Sequence, residues 1–190
     1  MSVFSLDLHV HSRFFHGWGP RPTAFDPVGT RLATAVAAHR GLDGLAFTNH
    51  DYAWESADAG FPTLPGIEIS TTRGHVLVVG PDPPAAIRAG ELTPEAAVEL
   101  AHDGGCAAIM AHPYRNGDLP ACDAAFDAIE INGKQPGNRS AVEDLATEWD
   151  LPLVGGSDAH YPVEVGRAYT RVDATDRSPE SVVAAIRSGR

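Results

Sequence analysis

Short apolar runs alternate with amphipathic stretches along most of the chain. The runs are three to seven residues long, lie between turn residues, and predict β-strands at 3–9, 44–48, 64–69, 75–79, 107–111, 128–131 and 152–154. Four stretches with helical spacing predict helices: DPVGTRLATAVAAHRG, TPEAAVELAHDGG, NRSAVEDLATEWD and SPESVVAAIRSG. This alternation is typical of parallel strands joined by crossover helices, and seven strands in one domain favour a small α/β barrel over an open sheet.

Capping residues mark the boundaries of the predicted helices. The first helix has Asp26 as its predicted N-cap, with a proline in the first turn, and it stops at Gly41. The second has the same arrangement, with Thr93 as the N-cap and Gly104 at the end. These signals predict where the chain leaves each helix to enter the next strand.

The composition limits the functions to consider. A length of 190 residues and an apolar content of 43% predict a single domain over 1–190. The formal charge of −11, from 14 basic and 25 acidic residues, leaves no extended basic face, so we expect no stable nucleic-acid complex. No apolar run reaches the roughly 18 residues of a membrane span. With no signal peptide recognised at the N-terminus, we expect a cytoplasmic protein without membrane contact.

The two cysteines carry little functional information. Cys106 and Cys122 are too few for a disulfide framework, and we expect both to be buried as small apolar side chains. The sequence contains no Gly-rich phosphate loop of the P-loop or Rossmann type. It gives no indication of an oligomeric state.

Most of the nine histidines fall at the ends of predicted strands, together with two carboxylates. The set comprises His9, His11, His16, His50, Glu68, His75, His112, Asp158 and His160. In α/β barrels the C-terminal ends of the strands meet at one rim, where active sites are built, so these side chains are expected to converge. His39 and His102 lie instead in the last turns of helices, where a cation suits the helix dipole, and they are interpreted as structural.

The residue types at these strand ends predict a metal site. His9 and His11 are two residues apart on a strand, so both rings project to one side, and Asp158 and His160 repeat that spacing. Imidazoles are the commonest metal ligands, and Glu68 offers two oxygens that can bridge two ions. Nine candidates are too many for one zinc ion, which takes about four ligands. The sequence therefore predicts two or three ions that share a carboxylate.

Seven short motifs resemble those of the PHP (polymerase and histidinol phosphatase) superfamily. They are DLHVHS, TNHD, PGIEIS, GHVLVVG, AHP, EING and GGSDAH, and they run in that order from Asp7 to Thr170. The resemblance implies a distorted seven-stranded (β/α)7, TIM-like barrel in a single domain. It also implies a metal-dependent phosphoesterase with three divalent ions, which are zinc, manganese or iron.

The resemblance further implies how the ligands divide among three ions. One ion is expected on His9, His11, Glu68 and Asp158, a second on His16, His50 and His160, and a third on Glu68, His75 and His112. The chain departs from the family pattern at His16, where many relatives have aspartate, which favours softer metals. It also departs at Asn49, where relatives carry an acid; its amide is expected to orient His50.

Clustered cations predict hydrolysis by a hydroxide that bridges two ions and attacks phosphorus in line. Arg115, Arg13 and Lys134 lie on loops at the same rim and are candidates to bind the phosphate. Asp51 and Asp7 are candidates to orient ligating imidazoles. Weaker candidates for phosphate or for lining the mouth are Arg21, Arg139, Phe15, Trp18 and Tyr114.

The expected substrate is a small phosphate ester, a nucleotide or a short oligonucleotide, because no large inserted cap domain fits between the motifs. Two other functions remain open. An amidohydrolase-type metal hydrolase also begins with His-x-His, but usually has a bridging lysine late in a strand, whereas Lys134 is predicted in a loop. A non-catalytic, metal-stabilised PHP module would typically have lost ligands, and this chain keeps a full set.

Overall fold

The computed structural model describes residues 2–13, 22–54, 60–115 and 117–190, and in them strands and helices alternate much as the sequence predicts. The strands are β1 (Ser2–Val10), β2 (Gly44–Phe47), β3 (Thr63–Thr71), β4 (Gly74–Val79), β5 (Ala107–Met110), β6 (Ala128–Asn132), β7 (Leu153–Gly156) and β8 (Thr170–Ala174). The helices are α1 (Asp26–His39), α2 (Pro94–Asp103), α3 (Arg139–Trp149) and α4 (Pro179–Arg187). All seven predicted strands and all four predicted helices are present, with ends within about two residues.

The strands form one curled sheet in the order β7-β6-β5-β4-β3-β2-β1-β8. The sheet nearly closes where the segment after β7 reaches the end of β1. There Val10 bridges to Ala159, and the His11 backbone N–H donates to the Ala159 carbonyl at 2.9 Å. The expected α/β barrel is therefore confirmed.

Two details of the predicted barrel are wrong. The sheet has eight strands rather than seven, because β8 pairs antiparallel with the first half of β1. The strands are also not all parallel, since β4 runs antiparallel to both β3 and β5. Only Thr72 and Arg73 separate β3 from β4. A parallel crossover needs a dozen or more residues, so this connection can only make a hairpin.

Apolar side chains on both faces of the sheet fix the barrel in place. Inside and below it, Leu6, Leu8, Leu77 and Ile109 belong to one buried cluster that also includes residues of α4. A second cluster joins the sheet to α2 and α3; its members include Ile67, Val76, Met110, Ala97, Val98, Val142 and Leu145. This packing holds the strand ends, and the loops that follow them, at defined positions.

The predicted caps are right for α2 and wrong for α1. The Thr93 hydroxyl accepts the Ala96 backbone N–H at 3.3 Å, as an N-cap should. In α1 the N-cap is Phe25, and Asp26 is the first helical residue. Its carboxylate does not cap the helix because it accepts hydrogen bonds from hydroxyl groups of other segments.

Several smaller expectations also have a structural outcome. Cys106 and Cys122 are both buried and unpaired, as predicted. His102 lies 3.0 Å from Asp127 on the surface, a contact that agrees with a structural role. Within the described residues, no helix is long and apolar enough to cross a lipid bilayer.

Candidate metal centre

Histidines and carboxylates that are far apart in the sequence converge at one end of the barrel. Their donor atoms form four overlapping groups, and within each group the atoms lie within 4.8 Å of one another. The groups are His11, His50 and His160; His9, Glu68 and His112; His9, His11 and Asp158; and His50, Glu68 and His75. Eight of the nine candidates from the sequence thus meet. The ninth, His16, lies outside the described residues.

Glu68 lies at the middle of this cluster and faces imidazoles with both oxygens. Its Oε1 is 2.8 Å from His75 Nδ1 and 3.0 Å from His112 Nε2. Its Oε2 is 3.0 Å from His50 Nδ1. Strand β3 carries Glu68 fully buried, and the hairpin brings His75 of β4 to its side. A carboxylate whose two oxygens face different ligand pairs is placed to bridge two ions.

Asp158 closes the other side of the cluster, after β7. Its Oδ1 lies 3.2 Å from His160 Nδ1 and 3.4 Å from His11 Nε2. His9 Nε2 is 3.7 Å from the same oxygen and 3.3 Å from Glu68 Oε2. His9 at the end of β1 and His11 directly after it therefore lie between the two carboxylates.

The electrostatics of the site favour ionised carboxylates. Burial alone would raise the pKa of Glu68. The imidazoles of His50 and His9, together with hydrogen bonds from His112 and His75, instead hold that pKa well below its usual value. Burial likewise opposes ionisation of Asp158, and the neighbouring His9, together with hydrogen bonds from His11, lowers the pKa of Asp158. Burial also lowers the pKa of the His11 imidazole well below its usual value, which leaves a neutral ring with a free lone pair.

Several buried nitrogen and oxygen atoms that could bind a metal ion have no hydrogen-bond partner, so the residues present fit a bound cation. Five buried side-chain atoms among the described residues have no hydrogen-bond partner, and four belong to the cluster. These four are His9 Nε2, His11 Nε2, Glu68 Oε2 and His112 Nδ1. The first three converge within 3.4 Å without hydrogen-bond geometry. Buried polar atoms left unpaired are costly, and a metal ion bound by the first three would satisfy them together.

The ligand groups around Glu68 overlap, so one residue can belong to more than one of them. His75 shares its group with His50, and His112 shares its group with His9. His11, expected on the first ion, also lies in a group with His50 and His160, with its ring centroid 4.2 Å from that of His160. Assignment of each ligand to an individual ion stays a prediction.

Glu130 is a residue of the site that the sequence analysis missed. It is fully buried on β6, and its Oε1 lies 2.7 Å from His9 Nδ1. Its Oε2 accepts the His112 backbone N–H at 3.0 Å and the Asn132 amide at 3.1 Å. The available signal was a single carboxylate inside the otherwise apolar strand of the EING motif.

The carboxylates expected to orient imidazoles contact backbone instead. Asp7 accepts the backbone N–H groups of Ser157 and Gly166, at 2.9 and 2.7 Å, and so holds the loop after β7 against β1. Burial is the main reason that the pKa of Asp7 rises to about 6. Asp51 accepts the Ser70 N–H at 2.7 Å, on the strand that carries Glu68. Its predicted role toward a ligating imidazole stays a prediction.

A hydrogen-bond network behind the ligands ties three segments together. The Asp26 Oδ1 atom accepts the Ser12 hydroxyl at 2.5 Å and the Tyr52 hydroxyl at 2.6 Å. The Asn49 side-chain amide, which had been expected to orient His50, bonds Ser12 through both its oxygen and its nitrogen. The network thus fixes the residues that directly follow His11 on one loop and flank His50 on the next.

Two of the three predicted phosphate-binding residues reach the centre. Arg115 Nη1 lies 2.6 Å from Asp158 Oδ2. Lys134 Nζ lies 2.5 Å from His160 Nδ1 and 3.6 Å from Asp158 Oδ1. Arg13 is half-buried two residues after His11. Tyr114 is 45% exposed, and Phe15, Trp18 and Arg21 lie outside the described residues.

Backbone strain is concentrated at the site. Four described non-glycine residues have positive φ, and three of them belong to loops of the centre. They are Asp51 at 61°, His112 at 27° and Asp158 at 53°. Such conformations persist only where the surrounding contacts hold them, and they are common at functional sites.

Comparison with known proteins places this geometry in context. The family model PHP_C, described as PHP-associated, matches residues 136–190. Among curated proteins, none matches the chain. PsfC from Pseudomonas syringae shares the fold with a TM-score of 0.75 and 22% identity, and the match covers 100% of this chain and 90% of PsfC.

Two larger proteins also share the fold. One is a two-domain protein from Bacteroides vulgatus that contains a predicted PHP-like metal-dependent phosphoesterase. Its TM-score is 0.67 at 19% identity, with 100% of this chain and 64% of that chain covered. The other is the lesion-specific endonuclease PfuEndoQ from Pyrococcus furiosus, with a TM-score of 0.62, 18% identity, and 98% and 56% covered. This chain therefore spans less than two thirds of either. Residues 136–190 thus match the PHP-associated family model, and the whole chain shares its fold with these proteins.

Proposed function

We propose that this chain is a metal-dependent phosphoesterase that hydrolyses small phosphate esters or short nucleotides. The observation that carries the proposal is the convergence of six imidazoles and two carboxylates, with their buried donor atoms unsatisfied. Such a donor set suits two or three divalent ions, of which zinc, manganese and iron are the candidates. Bound there, these ions would lower the pKa of a water molecule and neutralise charge on the phosphate oxygens.

The protein's own residues orient the ligands for this chemistry. The Glu130 carboxylate accepts from His9 Nδ1, and Nε2 of the same ring faces the centre, where a bound ion would take its lone pair. Glu68 lies between the imidazoles of β1, of the loop after β2 and of β4, and so fixes their separation. No covalent protein nucleophile is required.

Arg115 and Lys134 are proposed to bind the phosphate of the substrate. Both cations point at Asp158, one of the predicted ligands, and both remain partly exposed, at 35% and 21% of their side chains. When Asp158 binds a cation, its attraction for the two side chains is shared, and their N–H groups can turn to phosphate oxygens. Guanidinium and ammonium groups are suited to this contact. Arg13 and Asp51 remain candidates for supporting roles.

The known proteins that share the fold support a phosphate ester as the scissile group. The Bacteroides vulgatus protein contains a predicted PHP-like metal-dependent phosphoesterase, and PfuEndoQ is a lesion-specific endonuclease; both act, or are predicted to act, on phosphate esters. An amidohydrolase-type reaction is the rival within the hydrolases. Lys134 does reach the centre, but Glu68 already lies between the ligand groups that a bridging lysine would join.

The test is metal analysis of the purified protein together with a screen for phosphate release. Sugar, amino-acid and nucleotide phosphates are supplied with zinc, manganese or iron, and amide and lactone substrates are run in parallel. His9→Ala should abolish phosphate release and reduce the bound metal, while His39→Ala, on an exposed residue of α1, should change neither.

Three outcomes would contradict the proposal. Retained turnover in His9→Ala would refute the ligand assignment. Bound metal without phosphate release from any substrate would favour the non-catalytic module. Hydrolysis confined to the amides or lactones would favour the amidohydrolase.

A further inference from the structure

The outer face of β7 is not covered by a crossover helix of its own. After β7 the chain passes through a short 3₁₀ turn, Pro162–Glu164, and then forms β8. Beside β7, between the start of α3 and the segment 167–171, lies a cleft of about 340 Å³. Leu153 lines it and is 37% exposed. Ligand sites typically have volumes of about 300–1,000 Å³, so the cleft is large enough for a small ligand.

The charged residues that line this cleft are all basic. They are Arg139, Arg167 and Arg171, and none of the described lining residues is acidic. The chain as a whole has 25 acidic and 14 basic residues, so three arginines around one cavity are a marked local reversal of charge. A cavity lined by one sign of charge attracts ligands of the opposite sign.

The guanidinium groups are available to a ligand. Arg139 pairs with Glu143 at 2.8 Å and Arg167 with Glu164 at 3.3 Å, but the two arginine side chains are 65% and 47% exposed. Exposed pairs of this kind contribute little and exchange readily. Arg171 is exposed and makes no side-chain hydrogen bond or ion pair with another described residue.

An aromatic ring lies among these arginines. Tyr169 lines the cleft between Arg167 and Arg171 in the sequence and is 47% exposed. A cationic groove with an exposed aromatic side chain is the combination that binds single-stranded nucleic acid, because phosphates contact the cations and a base stacks on the ring. A protein or lipid surface would not need a stacking ring beside three guanidinium groups.

The cleft adjoins the metal centre. Arg139 and Ile131 line the cleft and also a smaller cavity that is bounded by His112 and Glu130. On the other side, Ala168 of the cleft packs near the loop that carries Asp158: a Cβ on Gly133 would lie 3.2 Å from both Ala168 N and Ser157 Cα. The cleft and the smaller cavity therefore share a wall next to the metal ligands.

We infer that this cleft binds the phosphodiester backbone of a short single-stranded oligonucleotide, with one base stacked on Tyr169. The inference names the substrate class of the proposed phosphoesterase. It rests on that function only for the end of the oligonucleotide that would enter the metal centre. Binding is expected to be salt-sensitive and confined to a few nucleotides, because the net charge of −11 repels longer polyanions.

The test measures binding separately from hydrolysis. A fluorescein-labelled hexathymidylate with phosphorothioate linkages keeps its charge and resists cleavage, and its anisotropy is followed with the purified protein at several salt concentrations. Arg171→Gln should weaken binding several-fold and reduce the slope of log Kd against log salt by about 0.7, the loss of one phosphate contact. Tyr169→Ala should weaken binding about five-fold or more, and Tyr169→Phe should restore it.

The matched control is Arg31→Gln, on an exposed arginine of α1 that does not line the cleft. No binding by the wild-type protein, binding that salt does not affect, or an equal loss in Arg31→Gln would each overturn the inference. Hydrolysis of p-nitrophenyl phosphate is measured on the same variants and should not change. Phosphate release without oligonucleotide binding would overturn the role inferred for the cleft and leave the proposed phosphoesterase intact. Binding without phosphate release would uphold the cleft and count against the proposed phosphoesterase.

Discussion

Glu130 Oε1 lies 2.7 Å from His9 Nδ1, and both side chains are fully buried. The second oxygen of the same carboxylate accepts the backbone N–H of His112. One residue on β6 therefore positions ligands that come from β1 and from the loop after β5. This arrangement sets which ring nitrogen of His9 faces the other ligands.

Glu130→Gln should lower metal affinity about 10- to 100-fold, the usual effect of losing a carboxylate behind a ligating imidazole. The amide keeps the size but lacks the charge that holds the Nδ1 proton. Titration of the protein with zinc or manganese measures the effect. Glu148→Gln, on an exposed position of α3, serves as the control. Unchanged affinity in Glu130→Gln would show that His9 is oriented by something else.

Gly156→Ala should damage the centre through packing alone. A Cβ at this position would lie 2.5 Å from His9 Cβ, closer than real Cβ contacts allow. We expect a loss of about 1–3 kcal/mol in the free energy of unfolding, together with weaker metal binding. Gly137→Ala is the matched control, because no atom lies within 4 Å of its added Cβ. Urea denaturation and metal titration distinguish the two variants.

Arg115→Gln and Lys134→Gln should each reduce kcat/KM for a phosphate ester about 10- to 100-fold, which is the loss of one charged hydrogen bond. Their metal content should stay at the wild-type level, since neither side chain is a predicted ligand. Steady-state kinetics with metal analysis of the same samples makes the comparison. A parallel loss of metal and activity would instead mean that the two cations stabilise Asp158.

Asp26→Asn should destabilise the protein by about 1.5–3 kcal/mol at pH 7, because a charged acceptor of the Ser12, Thr23 and Tyr52 hydroxyl groups is lost. Although burial opposes ionisation, the hydrogen bonds from Ser12 and Tyr52 lower the pKa of Asp26 below its usual value of about 3.9. A carboxyl group whose pKa is lower in the folded than in the unfolded protein stabilises the fold at pH values above its unfolded-state pKa. That stabilisation is lost as the pH falls through the folded-state pKa.

The difference between wild type and Asp26→Asn should therefore shrink as the pH is lowered below about 4. Urea denaturation at a series of pH values measures it, with Asp144→Asn on the exposed face of α3 as the control. A difference that stays constant down to pH 3 would mean that shape, rather than charge, makes Asp26 important.

Much of the centre could be predicted because its residues carry two signals at once, a ligand type and a place at a strand end. His50 and Asp158 are examples, since each comes a few residues after the end of an apolar run. Glu130 was missed because it lies inside a strand, where its partner 121 residues away is invisible to local pattern. Asp26 was misread because its position also suits an N-cap, and only the fold brings Ser12 and Tyr52 to it.

The limits of the fold prediction have similar causes. β8 was missed because its sequence, TRVDA, is short and half polar, and only its pairing with β1 makes it a strand. The antiparallel β4 was indicated by the two-residue connection after β3, a signal that the general alternation of strands and helices outweighed. Which ligands share an ion depends on distances of a few ångströms between loops, and motif order does not encode them.

The seam of the barrel joins Val10 to Ala159, directly beneath His9, His11 and Asp158. Ligands from the first strand can thus meet those that follow the seventh only after nearly the whole chain has been synthesised and has folded. A metal ion that takes ligands from both places could therefore bind only late in folding, because a half-folded chain lacks the complete set. Ion occupancy would report that the polypeptide has reached its finished form.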